Sequence, residues 1–278
     1  MVYQNIDKKT VEGFGKEWSS FDQSSLSTKD RFKVFDDYFH IFPWQDLPAH
    51  PIGADIGCGS GRWAYLTASR AAILHCVDPS GKALMVAQRN LAALDNIEFH
   101  QASVDELPFS DNSLDFAYAL GVLHHVPDTA AAITNVAAKL KPNAPFLIYL
   151  YYAFDNRPKW FRLLWRTSDL IRRVIAKLPY PMRYLLSQAL AIAVYWPLAR
   201  LAAGLERWGQ LPKNWPLAYY RDKEFYVMRT DALDRFGTRL EQRFTQPKIL
   251  AMLETAGFHH IQFSERAPYW CVVAKRRA

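Results

Sequence analysis

Short apolar runs alternate with amphipathic ones through the first half of the chain. Ile52–Ile56, Ala72–Val77, Ile97–Ala102, Leu114–Leu120 and Phe146–Leu150 are of strand length, and Leu114–Leu120 reads as a fully buried parallel strand. Between them, apolar residues recur at helical spacing. Lys82–Ala93 carries Leu84, Ala87 and Leu91 on one face behind a Ser80 cap. Thr129–Leu140 follows the capping residue Asp128 and stops at a Lys-Pro-Asn break. Five strand–helix alternations in about a hundred residues predict parallel strands joined by crossover helices.

The pattern closes at the other end. Thr245, Gln246 and Pro247 open a helix that ends at Ala256–Gly257, where Gly suits a left-handed cap. Strands Phe258–Ser264 and Trp270–Ala274 follow as a hairpin across a short Pro-containing link. Residues 10–42 read as helical and aromatic, with Phe14, Trp18 and Phe21, then Phe32, Phe35 and Phe39. That stripe is expected to pack on the core before Pro43, Pro48 and Pro51 break the chain.

Residues 151–243 are far too many for a connecting loop. Trp160, Leu163, Leu164, Trp165, Leu170 and Ile171 recur near helical spacing there, with arginines between. Tyr184–Ala199 holds 16 residues without a charge. A bilayer span needs about 20, and Pro197 interrupts the run, so no transmembrane helix is expected.

Composition narrows the class. The 278 residues are 50% hydrophobic, enough for one large domain or a core with an insertion. Cysteines 58, 76 and 271 are too scattered for a disulfide framework or a CxxC metal site. The opening M-V-Y-Q-N-I-D-K-K lacks a signal peptide's apolar core, so a reducing, cytoplasmic setting is expected. Between Arg157 and Arg207 ten Lys/Arg face two acids, and with the whole chain at +7 the remainder is about neutral. A nucleic-acid partner would want that charge around the active cleft, so none is expected.

The chemistry starts at I-G-A-D-I-G-C-G-S-G, residues 52–61. Glycines at 57 and 59 allow a sharp turn with φ > 0 and leave no Cβ between loop and ligand. Gly61 is expected to open a helix over Arg62–Ser69, its N–H groups and dipole facing the ligand. The spacing is G-x-G-x-G rather than the dinucleotide G-x-G-x-x-G. Asp55 would repel a pyrophosphate and suit a cationic ligand, and Asp78, ending the next apolar run, could take two ribose hydroxyls.

The D-x-G-x-G-x-G loop followed by V-D-P resembles the class I S-adenosylmethionine (SAM)-dependent methyltransferases. S-V-D-E-L-P-F around Asp105 and G-V-L-H-H-V-P-D from Gly121 continue the resemblance in order, over roughly 50–150 and 244–278. It implies an α/β fold: a doubly wound, mostly parallel seven-stranded sheet with a C-terminal antiparallel hairpin strand, plus a helical insertion. The chain then divides into an N-terminal helical cap (1–50), a SAM-binding core (51–150), an insertion or substrate lid (151–243) and a completion of the core (244–278).

The resemblance also implies roles. Asp55, Gly57, Gly59, Gly61, Asp78, Asp105 and Gly121 would hold SAM, with Asp105 on the adenine amino group and Trp18 as a lid residue. His124 and His125, beyond the fourth strand's end, are the candidate general bases, His124 preferred. Tyr149, Tyr151, Tyr152, Asp155, Asp234 and Arg239 are substrate-side candidates. No metal is expected, because the two His pairs are adjacent residues that a strand would point to opposite faces.

The expected function is methyl transfer from SAM to a small, hydrophobic or lipid-linked acceptor, at oxygen, leaving S-adenosylhomocysteine (SAH). N- or C-methylation of a small metabolite, a non-catalytic SAM-fold binding subunit and a pyridine-nucleotide oxidoreductase are the competing readings. The basic, Trp-rich insertion could bury its apolar faces on the core or in a homodimer, or hold the protein peripherally on anionic lipid.

Overall fold

A computed structural model describes residues 5–22 and 28–278. The chain clusters into two units. The first contains Arg31–Ala153, Leu240–Ala278 and the described N-terminal residues up to 22; the second contains Phe154–Arg239.

Seven strands form one sheet in the first unit: β1 (Ile52–Ile56), β2 (Ile73–Val77), β3 (Ile97–His100), β4 (Phe116–Leu120), β5 (Pro145–Tyr149), β6 (Phe258–Phe263) and β7 (Cys271–Arg276). Their order is β3-β2-β1-β4-β5-β7-β6, parallel from β3 to β5, with β7 antiparallel to both β5 and β6. The order reverses between β1 and β4, which places the loops after those two strands side by side at the ligand-binding edge of an open α/β sheet. All five β4 residues are buried, as a central parallel strand covered on both faces requires.

Apolar layers cover both faces. One gathers Ile56, Leu123, Ile133, Leu140, Phe146 and Phe258; the other gathers Phe39, Trp63, Leu84, Phe116, Tyr118 and Leu147. Helices α1 (Lys8–Ser20), α2 (Thr28–Phe39), α3 (Ala64–Thr67), α4 (Gly81–Asn90) and α5 (Thr129–Lys139) occur in this part of the chain. Ser80 and Asp128 cap α4 and α5 by accepting from Ala83 N (3.4 Å) and Ala131 N (3.0 Å). Of the helical stretch expected over residues 10–42, residues 23–27 lie outside the described residues.

Two expectations fail here. The link from β3 to β4 is loop and turn, without the crossover helix that strict alternation implies. The helix expected over Arg62–Ser69 is the four-residue α3 followed by a 3-10 turn, and Gly61, at φ +75°, stands ahead of it.

In the second unit, α6 (Lys159–Ile175), α7 (Tyr180–Leu190), α8 (Trp196–Arg207) and α9 (Phe225–Gly237) surround Ile175, Ala191, Tyr195, Ala199, Met228, Ala232 and Phe236. Pro197 does not end the helix, contrary to expectation. A π-helical turn, Ala191–Tyr195, joins α7 to α8, and Trp196 N–H bonds to Ala191 O. The wider turn absorbs the hydrogen bond that proline lacks. The run Tyr180–Arg207 is therefore 28 residues long, enough by length and composition to cross a bilayer.

Helix α6 is inverted relative to a core helix. Its buried face holds the ion pair Asp169–Arg172 (2.6 Å), with Arg173 also on Asp169 (2.8 Å) and Arg172 donating to Thr238 O (3.1 Å). Its exposed face carries Trp160, Leu163, Leu164, Leu170, Ile171 and Val174, a stripe at i, i+3, i+4 spacing.

Candidate active site

The loop after β1 is stitched to the end of β2. Gly57 N–H and Cys58 N–H both donate to Val77 O (2.7 and 3.0 Å), Gly59 N–H donates to Asp78 Oδ2 (3.0 Å), and Gly61 N–H to Cys58 O (2.9 Å). Four amides of the loop, those of Gly57, Cys58, Gly59 and Gly61, are thus spent within the protein, and Tyr65 N–H donates to Gly61 O (3.1 Å) as the first helical bond. Asp78 Oδ1 accepts from Ser80 N–H (2.8 Å), so one carboxylate holds both the glycine loop and the start of α4.

Gly59 has φ +55°, and a Cβ there would lie 2.8 Å from the Trp18 indole. Trp18 therefore rests directly on the loop. Gly15 makes this seat available: a Cβ on it would come within 2.5 Å of Ser80 Oγ, so only glycine lets α1 approach α4 this closely. Gly57 (φ +75°) faces Val122, whereas a Cβ on Gly121 (φ +78°) would meet no protein atom within 4 Å.

Asp55 is the site's electrostatic anomaly. In register it stands between Cys76 of β2 and Tyr118 of β4, and it is fully buried. Neither carboxylate oxygen has a hydrogen-bond partner; the Tyr118 hydroxyl and Ala64 N–H face it without closing the bond. Burial pushes its pKa up to about 8, against the pull of Tyr118 and Arg62, with Asp78 adding to the rise. Burial likewise raises Asp78 to about 6, opposed by the N–H bonds from Ser80 and Gly59. Two buried acids with this little compensation suit a cationic partner.

Asp105 follows β3, where the N-terminal segment reaches it. Asn5 N–H donates to its Oδ2 (3.0 Å), while the Asn5 side chain bridges Asp128, donating to its carbonyl (2.7 Å) and accepting from its N–H (2.7 Å). Oδ1 of Asp105 is buried and has no partner. Asn5, absent from the sequence reading, ties together loops 100 and 123 residues away. No periodicity encodes such a contact.

His124 and His125 lie on the short 3-10 turn Leu123–His125, so their rings are not on opposite faces as strand geometry would put them; the centroids are 4.0 Å apart. His124 is fully buried, stacks on Tyr151 (3.8 Å), and has no partner for either ring nitrogen. Burial, with His125 and Arg243 adding to it, holds its pKa well below the usual histidine value, so it stays neutral. His125 Nδ1 lies 2.7 Å from Leu240 O. A carbonyl only accepts, so Nδ1 carries the proton and Nε2 the lone pair. Phe14 packs 4.9 Å from this ring.

Tyr149 lies 6.5 Å from His124 and 5.7 Å from Tyr151, joining the cluster, whereas Tyr152 turns away toward Tyr269 and Trp270. Asp155, Asp234 and Arg239 belong to the second unit, where the Asp234 carboxylate accepts from Thr238 Oγ1 (3.3 Å) and Arg239 is exposed. Gln242 and Arg243, also absent from the sequence reading, strap the turn: Gln242 N–H donates to His124 O (3.0 Å) and its side chain to Val126 O (2.6 Å). Arg243 lies over the Tyr151 ring at 4.9 Å.

Residues 54–148 match the family model described as a methyltransferase domain. Residues 54–148 thus carry a methyltransferase domain, on a seven-stranded α/β sheet of the methyltransferase-like fold. A demethylmenaquinone methyltransferase of Bacillus licheniformis is 28% identical over 146 residues, 51% of this chain and 62% of that protein. A ubiquinone biosynthesis O-methyltransferase of Alkalilimnicola ehrlichii is 37% identical over 125 residues, 44% of this chain and 49% of its own. The chain thus spans about half to three-fifths of the length of these curated relatives. Among solved structures, the methyltransferase of a Haloferax volcanii complex with the Trm112 methyltransferase activator superposes with TM-score 0.52 at 12% identity, over 95% of this chain and 98% of that one, a likeness of fold.

Proposed function

We propose that the protein transfers a methyl group from SAM to the oxygen of a small, hydrophobic or lipid-linked acceptor. The observation that carries the cofactor assignment is the buried, unpartnered carboxylate of Asp55 beside a glycine loop, in a methyltransferase domain. The residues fit SAM's chemistry. Asp55 would meet its positive charge through the loop, Asp78 its ribose hydroxyls, Oδ1 of Asp105 its adenine amino group, and Gly121 its methionine portion. Trp18 would cover the cofactor from above the loop. When bound, SAM supplies the electrophilic methyl group.

The protein's own part is placement and proton removal. Positioning the acceptor in line supplies most of the rate. His125 is preferred to His124 as base, because the Leu240 carbonyl fixes the tautomer whose Nε2 can take the acceptor's proton. His124 and Tyr151 then form the wall behind it.

The acceptor class rests on two supports. One relative is named for demethylmenaquinone and the other for O-methylation in ubiquinone biosynthesis, which favours a quinone-like ring. The exposed stripe of α6, set among Lys159, Arg166, Arg173 and Lys177, together with exposed Leu185, Ile192, Trp196 and Trp208, fits an anionic bilayer surface where such an acceptor would dissolve. Mass spectrometry on mixtures with SAM and a panel of catechols and hydroquinones tests the activity. SAH and a methylated product should form together. SAM binding without SAH production on any of them would sink the acceptor class. Sedimentation with phosphatidylglycerol vesicles at low salt tests the surface, and protein left in the supernatant would sink that part.

A further inference from the structure

Away from the glycine loop, the sheet edge brings three ligand-type side chains together. His75 on β2 is paired in register with Glu98 on edge strand β3, and His100 lies two residues beyond Glu98 on the same face. His75 Nδ1 is 3.1 Å from His100 Nε2 and 3.2 Å from Glu98 Oε2, and His100 Nε2 is 3.9 Å from that same oxygen. Phe109 packs against both imidazoles at 4.8 and 5.5 Å and forms an apolar backing.

Hydrogen bonding satisfies this arrangement poorly. With both rings neutral, one proton lies between His75 Nδ1 and His100 Nε2: on His75 it serves two acceptors at once, and on His100 it leaves the Glu98 oxygen facing the His75 Nδ1 lone pair. A cation at the centre would instead use all three. Bonds of about 2.0–2.1 Å at tetrahedral angles place ligand atoms roughly 3.3 Å apart. Two of the separations here lie within a few tenths of that, and the third involves Glu98, whose side chain is 54% exposed and free to swing. That exposure also gives an ion its way in. Sequence reading misses the site because its residues are dispersed, although alternate residues on two successive predicted strands, H at 75 and E-x-H at 98–100, are a usable signal.

We propose that His75, Glu98 and His100 bind a divalent transition-metal ion of the zinc class, with a water completing the coordination, and that the ion clamps edge strand β3 onto β2. Imidazole and carboxylate donors select Zn2+, Co2+ or Ni2+ over Mg2+ or Ca2+. The site is structural in role and takes no part in methyl transfer.

The test is calorimetric titration of Zn2+ into tag-free, chelator-treated full-length protein, with Co2+ absorption as a check on donor type. Wild type should bind one ion per chain and melt at a higher temperature with Zn2+ than without. Glu98→Gln and His100→Asn should each weaken binding at least tenfold and lose the Zn2+-dependent shift in melting temperature. Their SAH affinity should stay at the wild-type value, which reports an intact fold. Absence of saturable binding in wild type, or wild-type Zn2+ affinity in either variant, overturns the proposal.

Discussion

Asp55→Asn should spare the protein a loss of stability that wild type suffers as pH rises, while removing its cofactor affinity. The Asp55 carboxyl is fully buried, its oxygens lack hydrogen bonds, and its pKa stands at about 8 against 3.8 for a free carboxyl. A group whose native pKa is raised contributes stability below its unfolded pKa, and that stability is lost as pH climbs through the native value. Between about pH 4 and 8 the native state holds one proton more than the unfolded chain, a slope of about −1.4 kcal/mol per pH unit. From pH 5 to pH 8 wild type should therefore lose about 4 kcal/mol that the asparagine variant keeps. Asp78, raised to about 6, and His124, lowered, titrate in both proteins and largely cancel in the difference. Urea denaturation of both proteins at pH 5 and pH 8 measures it. Stability of the variant minus that of wild type should rise by that amount, and a difference that is flat or falls with pH refutes the argument. Binding a cationic ligand should reionise the acid, so SAM binding at pH 7 should release about one proton, seen as a buffer-dependent calorimetric enthalpy.

Other positions give sharp outcomes. Gly59→Ala puts a Cβ at φ +55° and 2.8 Å from the Trp18 indole; about 1–2 kcal/mol of stability should go from the backbone conformation, with SAH affinity falling too, both read by thermal melts with and without SAH. Asp169→Asn leaves buried Arg172 without its anion and should cost about 3 kcal/mol by chemical denaturation. His125→Ala should lower kcat at least a hundredfold with SAH affinity unchanged, and a kcat loss rescued by raising pH would support the base assignment.

The strands of the sheet were legible because parallel strands buried on both faces leave unbroken apolar runs, and Ser80 and Asp128 announced their helices through cap chemistry. The glycine loop was legible as a turn but not in its hydrogen bonding. Gly57, Cys58 and Gly59 donate to groups at the end of β2, a pairing set by the register of β1 on β2 rather than by the loop's residues. The continuity of Tyr180–Arg207 through Pro197 depends on a π turn that has no sequence period of its own. Asn5, Gln242 and His75 escaped notice for a common reason: each acts through residues far away in sequence, and only the folded chain brings those partners near.

The central claim is that the glycine loop, Asp55 and Asp78 form a SAM site. Calorimetric titration of SAH into wild type and Asp78→Ala tests it most directly. The account predicts one SAH per chain in wild type and an affinity at least tenfold weaker in the variant, about 1.4 kcal/mol. Wild type that binds no SAH or SAM, or a variant that binds SAH as tightly as wild type, would contradict it.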